Sequence, residues 1–281
     1  MSYKIAIIGL GLMGGSLAYA LRGFKDAKVV GTNLHPEVCQ QALQKGAVDE
    51  AYTDASLAVQ DADLVIFCVY AHLIPDLLEK CQGSFKPGAV ITDICGVKSH
   101  LYQRLLPMLP PETDYVGIHP MAGKERDGFE NADPAIFKGS GFIICPLPDT
   151  RQQSIELMRQ LAEYIGASRV AVTDMQKHDQ IIAYTSDLMH IAAACLCIDF
   201  HPEMDLTFTA GAFRDSTRVA DINARAWTEL LLDNRENTLV WLDRYIESIH
   251  QLRACLADND ADGLAALLRL AGNNKREMLA R

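Results

Sequence analysis

A histidine that follows a predicted strand is the first candidate for chemistry in this chain of 281 residues. His119 lies in the segment GIHPMAG over 117–123, directly after the apolar run at 115–118. Strands of a parallel sheet end at the ligand crevice, where a neutral imidazole can accept a hydroxyl proton and speed a reaction about 10²- to 10⁴-fold. The position therefore predicts a general base at His119, with a histidine that only caps a turn as the alternative.

A glycine-rich turn near the start of the chain predicts a dinucleotide site. The sequence GLGLMG at 9–14 follows the apolar run at 5–8 and precedes a helical pattern. In such turns the first glycine permits a sharp bend, the second lets the backbone approach a pyrophosphate, and the third lets the helix pack closely on the strand. The helix N-terminus also offers unpaired N–H groups to phosphate. We predict that the cofactor contacts Gly9, Gly11, Leu12, Met13 and Gly14.

Asn33 bears on the choice between the two nicotinamide dinucleotides. The end of the second strand of such a fold normally carries an acidic residue that binds the adenosine ribose hydroxyls. Asparagine can also bond a ribose hydroxyl, but it lacks the charge that repels a 2′-phosphate, and no arginine follows it to hold such a phosphate. We therefore predict that Asn33 contacts the ribose of NAD, with NADP left open.

Composition and charge argue against several classes of partner. The formal net charge of −10 disfavours nucleic acid and anionic membranes, although local arginines can still attract a small anionic substrate. The eight cysteines form no CxxC pair and no zinc-like cluster, which predicts no metal site and a reducing, cytoplasmic setting. The sequence shows no signal-peptide pattern and no apolar run of about 18 residues, the length that spans a bilayer.

The elements that position these residues change character along the chain. Up to residue 173, strand-like apolar runs alternate with helical patterns, which predicts an α/β fold with a Rossmann-type, doubly wound and mostly parallel sheet. The strand-like runs lie at 5–8, 29–31, 63–69, 89–93, 115–118, 142–145 and 169–173. From residue 174 onward only helical patterns follow. We therefore predict a dinucleotide-binding domain over 1–173 and an all-α substrate and dimerisation domain over 174–281.

Three long helices are predicted in the second part, over 178–200, 227–252 and 262–279. The second of them carries apolar residues on more than one face, as in the run LVWL at 239–242. A helix that is apolar nearly all round must be buried on most sides, and so short a domain hardly supplies enough partners. The pattern therefore predicts a homodimer through this part of the chain.

Four segments together resemble the prephenate and arogenate dehydrogenases of tyrosine biosynthesis. They are HPMAG at 119–123 in a chain that opens with the glycine turn, TDICGVK at 92–98, TSDLMH at 185–190 and GAFRDSTR at 211–218. The resemblance implies an enzyme that oxidatively decarboxylates prephenate to 4-hydroxyphenylpyruvate and passes a hydride to NAD or NADP. Arogenate, which would give tyrosine, is the alternative substrate.

The resemblance also implies roles for particular residues. His119 is the catalytic histidine that engages the ring hydroxyl, and Arg218 holds a substrate carboxylate. Arg214, one helical turn earlier, is a second candidate for that carboxylate. Three further candidates for substrate contact share one predicted helix: His178, Ser186 and His190. On an ideal helix the first and last of these lie about 120° apart, which predicts that His178 either sits at the start of the helix or serves the pocket rim.

The chain departs from the family pattern beside the catalytic histidine. Gly96 stands where the commoner pattern has a serine that would bond the ring hydroxyl, so either a water, Ser99 or the nicotinamide ribose replaces it, or this contact is absent. Asp187 and Met189 stand in place of a histidine and a proline, and Lys98 matches a recurrent lysine without an assigned role. Because the sequence ends at 281, we expect no regulatory module of the kind that many family members carry.

Two other interpretations stay open. A β-hydroxyacid dehydrogenase has a similar two-part plan, but it would need a GxxxKxxN helix, and the sequence after residue 174 has none. A non-catalytic dinucleotide sensor that dimerises through its helices would need the glycine turn but not His119 together with Arg218. The enzyme interpretation therefore predicts that these two side chains converge on one cavity. Trp227 resembles a family aromatic residue near the pocket mouth, with a plain core position as the alternative.

Overall fold

The computed structural model describes residues 2–124, 126–199, 201, 203 and 205–280, and of Leu206 it describes the backbone. The first part of the chain forms one eight-stranded sheet with the strand order β3-β2-β1-β4-β5-β6-β7-β8. The strands are β1 Lys4–Ile8, β2 Lys28–Thr32, β3 Glu50–Tyr52, β4 Leu64–Phe67, β5 Val90–Asp93, β6 Asp114–Met121, β7 Gly141–Pro146 and β8 Arg169–Val172.

Helices cover both faces of this sheet. They are α1 Leu12–Ala20, α2 Pro36–Gln44, α3 Ala55–Val59, α4 Ile74–Cys81, α5 Ser99–Leu105 and α6 Gln152–Tyr164. Alternate residues of β1 point to opposite faces, so Ile5 and Ile7 pack with α1 and α6, whereas Ala6 and Ile8 pack with α3, α4 and α5. Strands buried on both faces must be apolar throughout, which explains their unbroken apolar runs. The predicted doubly wound sheet is confirmed.

Three features of the sheet differ from the sequence pattern. β3 is a short edge strand that is not among the predicted strands, because its half-buried residues form no apolar run. β7 runs antiparallel to β6, and β8 then runs parallel to β7, so the sheet is mostly but not wholly parallel. β6 continues to Met121 because β7 pairs with it that far, and His119 therefore lies within the strand, opposite Ile143, rather than in a loop after it.

The remainder of the chain is helical in the residues described. Its helices are α7 Met175–Ile182, α8 Leu188–Ile198, α9 Gly211–Thr217, α10 Ala224–Asp233, α11 Arg235–Ala257 and α12 Ala261–Ala280. α7 continues into α8 through a π turn at Ala183–Asp187. The predicted helix over 178–200 thus begins earlier than expected, and its predicted end at Phe200 lies outside the described residues.

The continuous helix Met175–Ile198 is long and apolar enough to cross a membrane, by length and composition only, with a mean hydropathy of 1.7. From the sequence we expected no apolar run of this length. One helix of this kind is weak evidence for a span, because core helices of soluble proteins pass the same test. This helix also carries three buried polar residues, His178, Asp179 and Asp187.

The predicted helix over 227–252 is wrong as a single element. α10 ends at Asp233 and α11 begins at Arg235, and Asn234 between them has a non-helical backbone with φ −106° and ψ 18°. The Asn234 amide donates hydrogen bonds to the Asp179 carbonyl oxygen at 3.0 Å and to Asp187 Oδ2 at 2.8 Å. These buried hydrogen bonds hold the chain at the break between α10 and α11, and no local sequence pattern predicts them.

The chain divides into two compact units, of which one ends at Asn234 and the other begins at Arg235. The first unit contains the sheet and α1–α10, and the second contains α11 and α12. The predicted boundary at 173/174 separates two kinds of secondary structure rather than two sets of contacts, and it stays a prediction.

Candidate active site

A cleft of about 810 Å³ lies within the first compact unit and is bounded by β6, by the α7–α8 helix and by α10. Four residues that the sequence predicts as site residues line it: His119, Ser186, His190 and Arg218. The cleft lies at the carboxyl edge of the sheet, where parallel strands present their ligands. Residues far apart in sequence therefore face one cavity, as the enzyme interpretation requires.

His119 is held from behind by a second histidine. The Nδ1 atom of His119 lies 2.9 Å from Nε2 of His178, and Nδ1 of His178 lies 2.7 Å from Oδ1 of Asp179. His178 and Asp179 are each 1% exposed. Because Nδ1 of His119 is occupied by His178, Nε2 is the ring nitrogen left for a ligand in the cleft.

The environment of His119 favours its neutral form. Burial, the neighbouring imidazole of His178 and the ammonium of Lys98 together hold the pKa of His119 well below its usual value. Lys98 is fully buried, pairs with Asp93 at 2.6 Å, and donates a hydrogen bond to the carbonyl oxygen of Ile118. Lys98 therefore supplies a fixed positive charge beneath β6, a role that the sequence left unassigned. A neutral imidazole at neutral pH suits a general base.

The space beside His119 is apolar in this chain. A Cβ atom built on Gly96 would lie 2.8 Å from Cδ1 of Leu230 and 3.9 Å from Cε1 of His119. Leu230 therefore fills the place that a serine side chain would need. Ser99, one of the predicted substitutes for that serine, donates its backbone N–H to Oδ2 of Asp179 at 2.8 Å and is not among the residues that line the cleft.

Only one of the two predicted arginines reaches the cleft. Arg218 lines it, whereas Arg214 is exposed and does not. The reason is local, because α9 ends at Thr217 and the chain tightens into a 3₁₀ turn at Arg218–Ala220. The one-turn spacing that would place both guanidinium groups on one helical face does not continue through that turn. The prediction of Arg214 as a substrate ligand is therefore not supported by this arrangement.

His190 and Trp227 form a flat wall of the cleft. Their rings stack with centroids 3.5 Å apart and an angle of 29° between planes. Nδ1 of His190 lies 3.0 Å from the carbonyl oxygen of Ser186, four residues earlier on the same continuous helix. An aromatic wall of this kind suits a planar ring, because offset stacking is favourable.

His178 lies in the first turn of α7, which is one of its two predicted places, and it does not line the cleft. It is buried and bonded to His119 on one side and Asp179 on the other, so it supports the site from behind. The π turn at Ala183–Asp187 shifts the angular relation to His190 that an ideal helix gives. Asp187 is also buried, accepts the hydrogen bond from Asn234 and does not line the cleft.

Sequence reasoning missed one polar pair at the edge of the cleft. Asn223 and Asp127 both line it, and the Asn223 amide donates a hydrogen bond to Oδ2 of Asp127 at 2.7 Å. Oδ1 of Asn223 also caps α10 by accepting from the backbone N–H of Ala226 at 3.1 Å. Asn223 directly precedes α10, and an asparagine at the N-cap position was the signal that could have found this cap.

The glycine turn has the shape that a pyrophosphate requires. Gly9 has φ +104°, and a Cβ there would lie 2.6 Å from the carbonyl oxygen of Cys68. A Cβ on Gly14 would lie 1.8 Å from the carbonyl oxygen of Gly9, so only glycine fits. A Cβ on Gly11 would meet nothing within 4 Å, which leaves its backbone open to a ligand. The first turn of α1 has no side-chain cap, so its N–H groups are available to phosphate.

Asn33 is hydrogen-bonded to the glycine turn. Its Nδ2 donates to the carbonyl oxygen of Leu10 at 3.2 Å, and its Oδ1 accepts from the backbone N–H of His35 at 2.9 Å. The side chain therefore stands at the end of β2 beside the turn, which is the place predicted for a ribose contact. That contact stays a prediction.

Comparison with known proteins identifies the family. The family model described as "Prephenate dehydrogenase, nucleotide-binding domain" matches residues 17–171, and that described as "Prephenate dehydrogenase, dimerization domain" matches 174–270. Cyclohexadienyl dehydrogenase of Zymomonas mobilis is 32% identical over 267 residues, which cover 92% of this chain and 90% of that protein. Prephenate dehydrogenase of Bacillus subtilis is 29% identical over 278 residues, which cover 96% of this chain and 75% of that protein.

A solved structure gives the same answer. The crystal structure of prephenate dehydrogenase from A. aeolicus, in complex with hydroxyphenyl propionate and NAD+, superposes with a TM-score of 0.87. The match has 27% sequence identity and covers 99% of each chain. The predicted resemblance is thus confirmed by family models, by curated relatives and by fold. This chain belongs to the prephenate dehydrogenase family, whose members are NAD(P)-dependent oxidoreductases.

Proposed function

We propose that this protein catalyses the oxidative decarboxylation of prephenate to 4-hydroxyphenylpyruvate, with NAD as the hydride acceptor. One observation carries the proposal: His119, a neutral base, and Arg218, a fixed cation, line the same cleft. A ring with a hydroxyl group at one end and a carboxylate at the other would engage both side chains. A dinucleotide sensor without catalytic activity would need no such pair.

Each residue has a defined task in this reaction. Nε2 of His119 accepts the proton of the ring hydroxyl while the hydrogen on the same carbon leaves as a hydride, which gives a carbonyl. The ring carboxylate then leaves as carbon dioxide, and its bonding electrons complete the aromatic ring. His119 returns its proton to the resulting phenolate oxygen, so the net products are 4-hydroxyphenylpyruvate, carbon dioxide and reduced cofactor. Bound NAD supplies the hydride acceptor.

Arg218 orients the substrate rather than reacting with it. A guanidinium presents a planar fork of N–H donors that matches a carboxylate, and such charge-assisted hydrogen bonds are stronger than neutral ones. Lys124 and Arg126 also line the cleft, although Lys124 is paired with Asp133 at 2.9 Å. These cations make the cleft attractive to an anion despite the net charge of −10.

The cofactor is proposed to lie against the glycine turn. Gly9, Gly11 and Gly14 leave the backbone space that the pyrophosphate needs, and Leu12 and Met13 begin the helix whose N–H groups would face it. Asn33 is proposed to bond the adenosine ribose. The nicotinamide end would then reach the carboxyl edge of β5 and β6, where Gly96 and His119 lie.

The protein is also proposed to be a cytoplasmic homodimer through its helical part. The matched family region at 174–270 is described as a dimerization domain. Many apolar side chains of α8, α11 and α12 are exposed in the single chain: Leu196, Ile198, Leu239, Val240, Ile246, Ile249, Leu256, Leu268, Leu270 and Leu279. A partner chain would bury them. Sedimentation analysis should find a dimer at micromolar concentration, and a stable monomer would contradict it.

A substrate panel tests the function. Purified protein is mixed with prephenate or arogenate and with NAD or NADP, and the absorbance of the reduced nicotinamide is followed. We expect the fastest turnover with prephenate and NAD, with release of one carbon dioxide per reduced cofactor. Faster turnover with arogenate would replace the substrate, and a preference for NADP above tenfold would replace the cofactor. No turnover with any pair would support the sensor interpretation.

A further inference from the structure

The side chains of His119, His178 and Asp179 form a line that leads away from the cleft. The first link joins Nδ1 of His119 to Nε2 of His178 over 2.9 Å, and the second joins Nδ1 of His178 to Oδ1 of Asp179 over 2.7 Å. Both members behind His119 are almost completely buried. Buried polar groups in such a line must satisfy one another, because water does not reach them.

Asp179 is fixed at the far end by backbone donors. The N–H of Lys98 donates to Oδ1 at 2.9 Å and the N–H of Ser99 to Oδ2 at 2.8 Å, at the start of α5. Burial acts to raise the pKa of Asp179, but hydrogen bonds from His178, Ser99 and Lys98 outweigh it, and this pKa lies below its ordinary value. The carboxylate is therefore ionised and can only accept hydrogen bonds.

The ionised carboxylate determines the protons along the line. Nδ1 of His178 must donate to Asp179, and when that is the single proton on the ring, Nε2 of His178 is an acceptor. Nδ1 of His119 must then donate to that Nε2, which leaves Nε2 of His119 with a lone pair toward the cleft. This is the only tautomer in which His119 can accept a substrate proton from the cleft side.

From this geometry we infer that His178 and Asp179 are positioning residues that hold His119 in the tautomer and orientation required of the base. The inference rests on the proposed role of His119. When Nε2 of His119 takes the hydroxyl proton, its Nδ1–H becomes a charge-assisted donor to His178, and Asp179 lies next in line to stabilise the positive charge. Lys98 opposes that charge from beneath the strand, so the support of Asp179 matters more.

The comparable arrangement of base and buried carboxylate in serine proteases shows the scale, because loss of its correct tautomer costs about 10⁴-fold in kcat. Here the carboxylate acts through a second histidine. We expect His178→Leu, which removes the acceptor, to lower kcat about 100-fold, within the range of general base catalysis. The Kd for NAD and the KM for prephenate should change less than about threefold, since His178 contacts neither Arg218 nor the glycine turn.

A conservative variant separates positioning from packing. His178→Gln retains a side-chain oxygen that can accept from Nδ1 of His119, and it should recover at least tenfold of the kcat lost in His178→Leu. Gln176→Leu, on the exposed side of the same helix, is the matched control and should keep the kcat of the unsubstituted protein. Equal kcat values for His178→Leu and the control would overturn the inference.

A spectroscopic measurement tests the tautomer without turnover. Nitrogen-15 NMR of histidine-labelled protein reports which ring nitrogen carries the proton, and comparison with His119→Asn identifies the His119 signals. We expect the proton on Nδ1 of His119 in the unsubstituted protein. A proton on Nε2 would overturn the inference even if prephenate is oxidised, and failure of the substrate panel with a proton on Nδ1 would overturn only the proposed function.

Discussion

Replacement of Arg218 by alanine tests the carboxylate contact. Arg218 lines the cleft in the turn after α9, and its removal takes away the guanidinium proposed to hold the substrate carboxylate. One such hydrogen bond contributes about 1.5–3 kcal/mol. This range corresponds to a rise in the KM for prephenate of about 10- to 150-fold. The kcat at saturating prephenate should fall far less, because Arg218 holds the ground state and the transition state alike.

Arg214 provides the matched control for this experiment. It is the same residue type, four positions earlier in the same segment, but it is exposed and does not line the cleft. Arg214→Ala should therefore change the KM for prephenate less than twofold. Arg218→Lys should resemble Arg218→Ala more than the unsubstituted protein, because a lysine lacks the planar fork.

The assay is an initial-rate titration of prephenate at saturating NAD, followed by a titration of NAD at saturating prephenate. We expect the KM for NAD to stay constant in all three variants, since the glycine turn is untouched. An unchanged KM for prephenate in Arg218→Ala would refute the reasoning. Equal effects of Arg214→Ala and Arg218→Ala would refute it as well, because they would point to a general electrostatic field rather than a contact.

Three further predictions concern the base and the cofactor site. His119→Asn should lower kcat at least 100-fold with an unchanged Kd for NAD by calorimetry, and near-normal turnover would remove the assignment. Activity should rise with pH as His119 loses its proton. Because burial, the neighbouring imidazole and Lys98 lower the pKa of His119, the rise in kcat/KM should occur well below pH 6.5. A rise centred above pH 6.5 would contradict the site geometry. Gly14→Ala places a Cβ 1.8 Å from the carbonyl oxygen of Gly9, so NAD binding should be lost or the protein should fail to fold, whereas NAD binding with unchanged Kd would argue against the assigned turn.

Much of the fold could be predicted from sequence because its signals are local. The apolar strands, the glycine turn and the helical second part each follow from residue type and periodicity within a short window. β3 was not predicted because an edge strand of three half-buried residues carries no such periodicity. The break at Asn234 was not predicted because its cause is distant in sequence. The Asn234 side chain donates hydrogen bonds to Asp179 and Asp187.

The site was predictable in membership but not in detail. Motifs placed His119, Ser186, His190 and Arg218 in one site, and the structure brings these four together in one cleft. Arg214 and His178 do not line the cleft. Ideal helical spacing fails at the 3₁₀ turn after Arg214 and at the π turn between His178 and His190. Irregular turns depend on tertiary contacts, and periodicity alone does not reveal them.

At Gly96, the packing of neighbouring residues explains a difference that the sequence alone leaves open. The sequence shows only that a serine is missing, and it leaves water, Ser99, ribose or no substitute at all as the alternatives. The structure places Leu230 where the serine side chain would lie, and it directs Ser99 toward Asp179 instead. His119 therefore has no serine hydroxyl beside it at position 96, which increases the dependence of the reaction on how His119 itself is held.

The central claim is that His119 and Arg218 hold opposite ends of one substrate ring. A crystal structure of the protein with NAD and hydroxyphenyl propionate tests it most directly. The account predicts the phenol oxygen at about 2.6–3.2 Å from Nε2 of His119, the carboxylate on the guanidinium of Arg218, and the nicotinamide against the ring between them. A ligand whose two ends contact neither side chain, or a nicotinamide that lies away from this cleft, would contradict it.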